Sequence, residues 1–181
     1  DTGKRFFFIH IPKTAGRFLQ ENFKLNGFEP EQIIWDWIDG IEISHFHREL
    51  YEKHLNIENI QHVTIVRNPL ERYLSLKTHN YPDSENWLRP QVDYVTDETN
   101  VWKFEDGFGD DFSEWLSDIV QITISIREIE SDHLYNELGQ RLFLEYRHPE
   151  YKKIKKTDEI ENHVKSFYRD DYKLWYNSLN K

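Results

Sequence analysis

The chain has no cysteine and no methionine, and only seven glycines and six prolines in 181 residues. Without cysteine there is no disulfide framework, no zinc–thiolate site and no cysteine nucleophile. That composition is compatible with a reducing cytoplasm, which is the expected location. The missing methionine, absent even from position 1, fits a chain trimmed from a longer one, so a removed tail or anchor stays open. No apolar run reaches the length of a membrane span, and Phe6 to Ile9 is too short and too strand-like for a signal sequence. Positive charge is also in deficit: 23 Lys and Arg stand against 33 Asp and Glu, a formal net charge of −10. This argues against a nucleic-acid partner, and a strongly anionic partner requires cations gathered at one cleft. There is no internal repeat, low-complexity tract or Gly/Ser linker.

What is present is apolar and aromatic. With 38% hydrophobic and 15% aromatic residues, the chain can bury a sizeable core as a single domain over residues 1–181. Pattern and punctuation predict strands at 5–10, 41–45, 61–67 and 121–127. Helices are predicted at 15–25, 47–55, 69–79, 110–119, 131–138 and 157–177, with an irregular stretch at 80–109. Strands alternating with helices imply an α/β fold with a central parallel sheet.

Three segments carry candidate chemistry. In Phe6-Phe-Phe-Ile-His-Ile-Pro-Lys-Thr-Ala-Gly-Arg-Phe-Leu19 an apolar strand runs into a short loop and then a helix. Unpaired N–H groups and the positive dipole end at a helix start favour an anion, and Lys13 adds a full charge. The nucleoside-triphosphate loop Gly-x-x-x-x-Gly-Lys-Ser/Thr does not fit, because Lys13 precedes Gly16. In His62-Val-Thr-Ile-Val-Arg-Asn-Pro-Leu-Glu-Arg-Tyr-Leu-Ser75 a β-branched run ends at Arg67, and Asn68-Pro69 supplies an N-cap and a first-turn proline. Arg67 then lies at the carboxyl end of a strand, where ligands bind in open α/β sheets, and Ser75 follows two turns into the helix. Ile43-Ser-His-Phe-His-Arg-Glu-Leu50 places His45 and His47 near a sheet edge, and histidine accepts protons near neutral pH.

Together these residues resemble the sulfotransferases that use 3′-phosphoadenosine 5′-phosphosulfate (PAPS), most closely the carbohydrate branch of Golgi and heparan-sulfate 2-O-sulfotransferase type. Ile11-Pro-Lys-Thr-Ala-Gly16 looks like their 5′-phosphosulfate loop, and the segment ending at Ser75 resembles their 3′-phosphate motif. The likeness extends over roughly residues 5–176, including the Tyr-x-x-Asp-Tyr ending at Tyr172. It implies a three-layer α/β/α, P-loop-like sulfotransferase fold and transfer of a sulfuryl group to a carbohydrate hydroxyl. The implied donor-binding residues are Lys13, Thr14, Ala15, Gly16, Arg17, Phe18, Arg67 and Ser75. Lys13 and His45 are the implied catalytic pair, with His45 as base. His47, Arg89 and Gln91 are expected near the acceptor, the last two from Arg89-Pro-Gln-Val-Asp-Tyr94, and no metal is implied. The chain departs from the family at Arg17, where a Thr or Ser usually follows the glycine. A catalytically silent nucleotide- or glycan-binding module is therefore the alternative; a kinase or nucleotide hydrolase lacks its loop and its magnesium-holding acid.

Overall fold

A computed structural model describes residues 5–35, 37–38, 41–78, 85–129 and 154–178. The predicted helix at 131–138 lies outside the described residues. Strand β1 (Phe6–Ile9) leads to helix α1 (Gly16–Leu25) and the short α2 (Pro30–Ile33). A ribbon of β2 (Trp37–Ile38) and β3 (Ile41–Glu42) precedes α3 (Arg48–His54), β4 (Gln61–Val66) and α4 (Pro69–Thr78). Then come α5 (Glu85–Leu88), a 3-10 turn at Gln91–Tyr94, β5 (Asn100–Lys103), α6 (Asp110–Val120), α7 (Asp158–Phe167) and α8 (Arg169–Asn177).

The sheet is parallel, in the order β1-β4-β5. Phe8 pairs with Val63 and Ile65 with Trp102, so all three carboxyl ends reach the same edge. All four residues of β1 are buried, as parallel strands covered on both faces require. Phe6, Phe8, Val63 and Ile65 pack with Leu19 and Phe23 of α1 and Phe112 and Leu116 of α6. Phe7, Ile9 and Val66 pack on the other face with Tyr51 of α3 and Tyr94. The chain is thus a mixed α/β protein with a small parallel sheet and helices packed against it.

Helix starts follow their local signals. Asn68 Oδ1 accepts from the N–H groups of Leu70 and Glu71 at 3.0 and 3.3 Å, with Pro69 in the first turn. Thr157 Oγ1 caps α7 through Ile160 N.

Four expectations are corrected. Residues 41–45 form no strand of the parallel sheet, because β3 pairs antiparallel with β2 alone and Ser44 and His45 already lie in a turn. The stretch at 80–109 is not wholly irregular, since it holds β5, the third strand. The predicted helix at 157–177 is two helices that meet at Tyr168. Finally, 121–127 joins no sheet. Its apolar alternation is real, with Ile122, Ile124 and Ile126 packed on the core, but its backbone bonds to helices. Asn22 Oδ1 accepts from Arg127 N at 2.8 Å while Asn22 Nδ2 donates to Arg127 O, and Asn26 pairs in the same way with Ser125. On the opposite side, Ser117 and Ser113 of α6 accept from the N–H groups of Ile124 and Ile126. The amides of Asn22 on α1 and of Asn26 at its C-cap, with hydroxyls four residues apart on α6, thus replace neighbouring strands.

Candidate functional site

The loop between β1 and α1 lies at the carboxyl edge of the sheet and is held in an uncommon backbone state. Lys13 and Ala15 have φ of 68° and 73°, each a departure costing about 1 kcal/mol for a non-glycine residue. Alternation of this kind turns successive N–H groups toward one side, which suits an anion. Ala15 is the N-cap of α1 and has no side-chain capping bond, and the first turn carries no acidic residue. The N–H groups of Gly16, Arg17 and Phe18 therefore fall where the helix supplies no partner. Thr14 is fully buried and its hydroxyl donates to Ile11 O at 2.7 Å, so its side chain shapes the loop rather than facing a ligand. Arg17 is exposed. Phe18 packs its ring against Phe108 and brings only its backbone to the helix start.

Cations converge on this loop. Arg67 Nη1 donates to Lys13 O at 3.3 Å, and its guanidinium lies 4.4 Å from the centre of the Phe104 ring. Its Nε is buried without a hydrogen-bond partner, an uncompensated donor in a place where an anion would be welcome. Burial pushes the Arg67 pKa down, opposed by Glu105 and Glu71. Arg72, which the sequence reading did not single out, is 1% exposed and donates to Pro12 O at 3.0 Å and to Trp87 O at 3.2 Å. It ties α4 to the loop from below. Ser75, one turn beyond Arg72 on the same side of α4, is partly buried.

Gln91, expected at the acceptor, is fully buried with its amide engaged by Arg67. Oε1 accepts from Arg67 N at 2.9 Å and Nε2 donates to Arg67 O at 2.8 Å. It extends the sheet pairing by one residue and fixes the strand end. The fully buried Asp171 accepts from the N–H groups of Gln91 and Val92 at 2.8 and 2.9 Å. Burial raises the Asp171 pKa, opposed by these two bonds and by Arg72. On the other flank, Glu105 accepts from Asn68 N and from the Trp175 indole.

His45 and His10 meet at the mouth of the loop, with ring centres 4.6 Å apart. His45 Nδ1 lies 3.3 Å from His10 O and its ring meets Trp87 edge-on at 4.9 Å. A carbonyl can only accept, so Nδ1 carries the proton and Nε2 is left as the basic atom. Burial lowers the pKa of His45, the carbonyl opposes this, and Arg72 lowers it further; the ring is neutral near pH 7. His10 is held well below the ordinary imidazole range by burial, then by His45, Lys13 and Arg17. His47 is the N-cap residue of α3, without a side-chain capping bond. Its pKa is lowered by burial and then by Arg89, whose Nη1 is 3.4 Å from Asp93.

The structure brings Lys13, Gly16, Arg67 and His45 to one edge, sets His47 beside Arg89, and assigns Thr14 and Gln91 to scaffolding. Sequence reasoning missed His10, Arg72 and Asp171; the only available signal was the position of His10 between the strand and the loop. Among the described residues no group of three or more His, Cys, Asp or Glu could hold a metal ion, and no helix is long and apolar enough to cross a membrane. No protein-family model, curated protein or solved structure matches the chain.

Proposed function

We propose that the chain is a PAPS-dependent sulfotransferase acting on a carbohydrate hydroxyl, with a three-layer, P-loop-like architecture. One observation carries the reading: an uncapped helix start and the Lys13 loop lie against a strand-end arginine with a buried, unpartnered Nε. In a protein of net charge −10, this concentration of donors suits a ligand with two separated phosphate groups. The donor set fits PAPS, whose phosphosulfate supplies the sulfuryl group when bound.

Lys13 and the N–H groups of residues 14–18 would hold the 5′-phosphosulfate and neutralise the leaving phosphate. Arg67 and Ser75 would hold the 3′-phosphate. His45 Nε2 would take the acceptor's hydroxyl proton as the new oxygen–sulfur bond forms and the bond from sulfur to the phosphate oxygen breaks. His47 and Arg89 would flank the acceptor, and Gln91 acts through the backbone of Arg67. No metal, nucleic acid or membrane enters this reading, and a cytoplasmic setting agrees with it.

A second reading is a silent binding module of the same fold. Thr14 spends its hydroxyl inside the loop and Arg17 stands where a second hydroxyl is expected, which favours binding over turnover. Calorimetric titration with adenosine 3′,5′-bisphosphate, without magnesium, tests both. Wild type should bind, and Arg67→Ala and Lys13→Ala should each weaken binding roughly 10- to 100-fold, the range for a charged hydrogen bond. A folded wild type that does not bind overturns the proposal; binding without transfer of label from PAPS to any glycan selects the silent module.

A further inference from the structure

His10 lies at the site, against His45, and the proposed function makes no use of it. Its Nδ1 is shut off from solvent without a hydrogen-bond partner, so the ring carries a polar atom that gains nothing where it sits. A plain hydrocarbon would avoid that cost. The partly buried ring is nevertheless packed among other rings. It stacks on Phe8, meets Trp35 at 4.9 Å and faces His45 at 4.6 Å. At the start of α1 it fills the space that a side chain at residue 16 would need, since a Cβ built on Gly16 would overlap its Nε2. The charges facing it are those of Lys13 and Arg17, with neutral His45 opposite.

For His45 this arrangement makes a slot. One wall is the His10 ring and the other is Trp87, while the His10 carbonyl sits at Nδ1. The hydrogen bond is long, at 3.3 Å, so it orients the imidazole only if the ring cannot tilt away. A reacting group keeps its geometry when packing locks its rotamer.

We infer that His10 is a positioning residue for His45: its ring is the wall that keeps the neighbouring imidazole protonated at Nδ1 and open at Nε2. The inference rests on the proposed function only for the use made of that open nitrogen. Without the wall His45 tilts into the vacated space, loses the carbonyl and exchanges between tautomers.

The test reads tautomers directly, by side-chain nitrogen NMR of His45 at neutral pH, without donor or acceptor. Wild type should show the Nδ1-protonated pattern with a bias on the order of fivefold, the selectivity of one ordinary hydrogen bond. His10→Ala and His10→Asn, which both fall short of Gly16, should reduce that bias to about twofold or less. His10→Gln, whose planar amide refills the space, should restore it. The amide spectrum shows which variants keep the native fold, and either truncation suffices. A wild-type His45 protonated at Nε2, or a folded truncation with the wild-type pattern, overturns the inference. Failure of wild type to bind adenosine 3′,5′-bisphosphate would sink the proposed function and leave this result standing, so the two fail separately.

Discussion

Gly16→Ala sets two effects against each other with opposite signs. Gly16 is the first residue of α1, and its φ is not positive. Helix propensity therefore predicts that alanine stabilises, by at most about 1 kcal/mol. Packing predicts the reverse. The new Cβ would overlap Nε2, Cε1 and Cδ2 of His10, and that ring is packed against Trp35 and His45. Overpacking a well-filled site costs about 1–3 kcal/mol, so the net expectation is a loss of about 1–2 kcal/mol. For a domain of this size that is a fall in Tm of roughly 2–8 °C. Urea and thermal denaturation of wild type, Gly16→Ala, His10→Ala and the double variant form a complete cycle. If the clash is with the ring, the double variant regains helix propensity and the coupling is at least about 1 kcal/mol. A Gly16→Ala protein as stable as wild type, or strict additivity in the cycle, would refute the packing of His10 beneath α1.

Asn22→Ala removes the amide that pairs with both backbone groups of Arg127; a loss of about 2–3 kcal/mol in urea denaturation is expected, and a change within error would refute the anchoring of residues 121–127 by the helices. Asp171→Ala strips the N–H groups of Gln91 and Val92 of their acceptor and should cost about 2–4 kcal/mol, with weaker adenosine 3′,5′-bisphosphate binding because Gln91 no longer fixes Arg67; unchanged affinity in a folded variant would disprove that link. His10 and His45 both have lowered pKa in the fold, whereas in the unfolded chain they titrate near the ordinary value of about 6.5. The unfolded state then binds more protons, so their contribution is full above about pH 6.5 and is lost as pH falls through the folded values. The urea midpoint of wild type should therefore drop further between about pH 7.5 and about pH 5.5 than that of His10→Ala; equal drops would contradict the buried, neutral ring.

The sequence by itself determined the parts whose signals are local. The apolar run Phe6–Ile9 and the Asn68-Pro69 helix start specify their elements through burial pattern and capping chemistry within a few residues, and each is found where expected. It also determined that Lys13 and Arg67 follow strands, which in a parallel sheet puts them at one edge. Tertiary structure decided which groups satisfy one another. Gln121 to Arg127 has the alternation of a strand, yet alternation records only that one face is buried, and its partners are asparagines about a hundred residues away. Asn100–Lys103 is short and has one buried residue, too little period to register as a strand before β4 pairs with it. His10, Arg72 and Asp171 look like ordinary polar residues in the sequence. They matter because folding packs them against Gly16, Pro12 and Gln91, where every unpaired buried polar atom must find a partner or carry a cost.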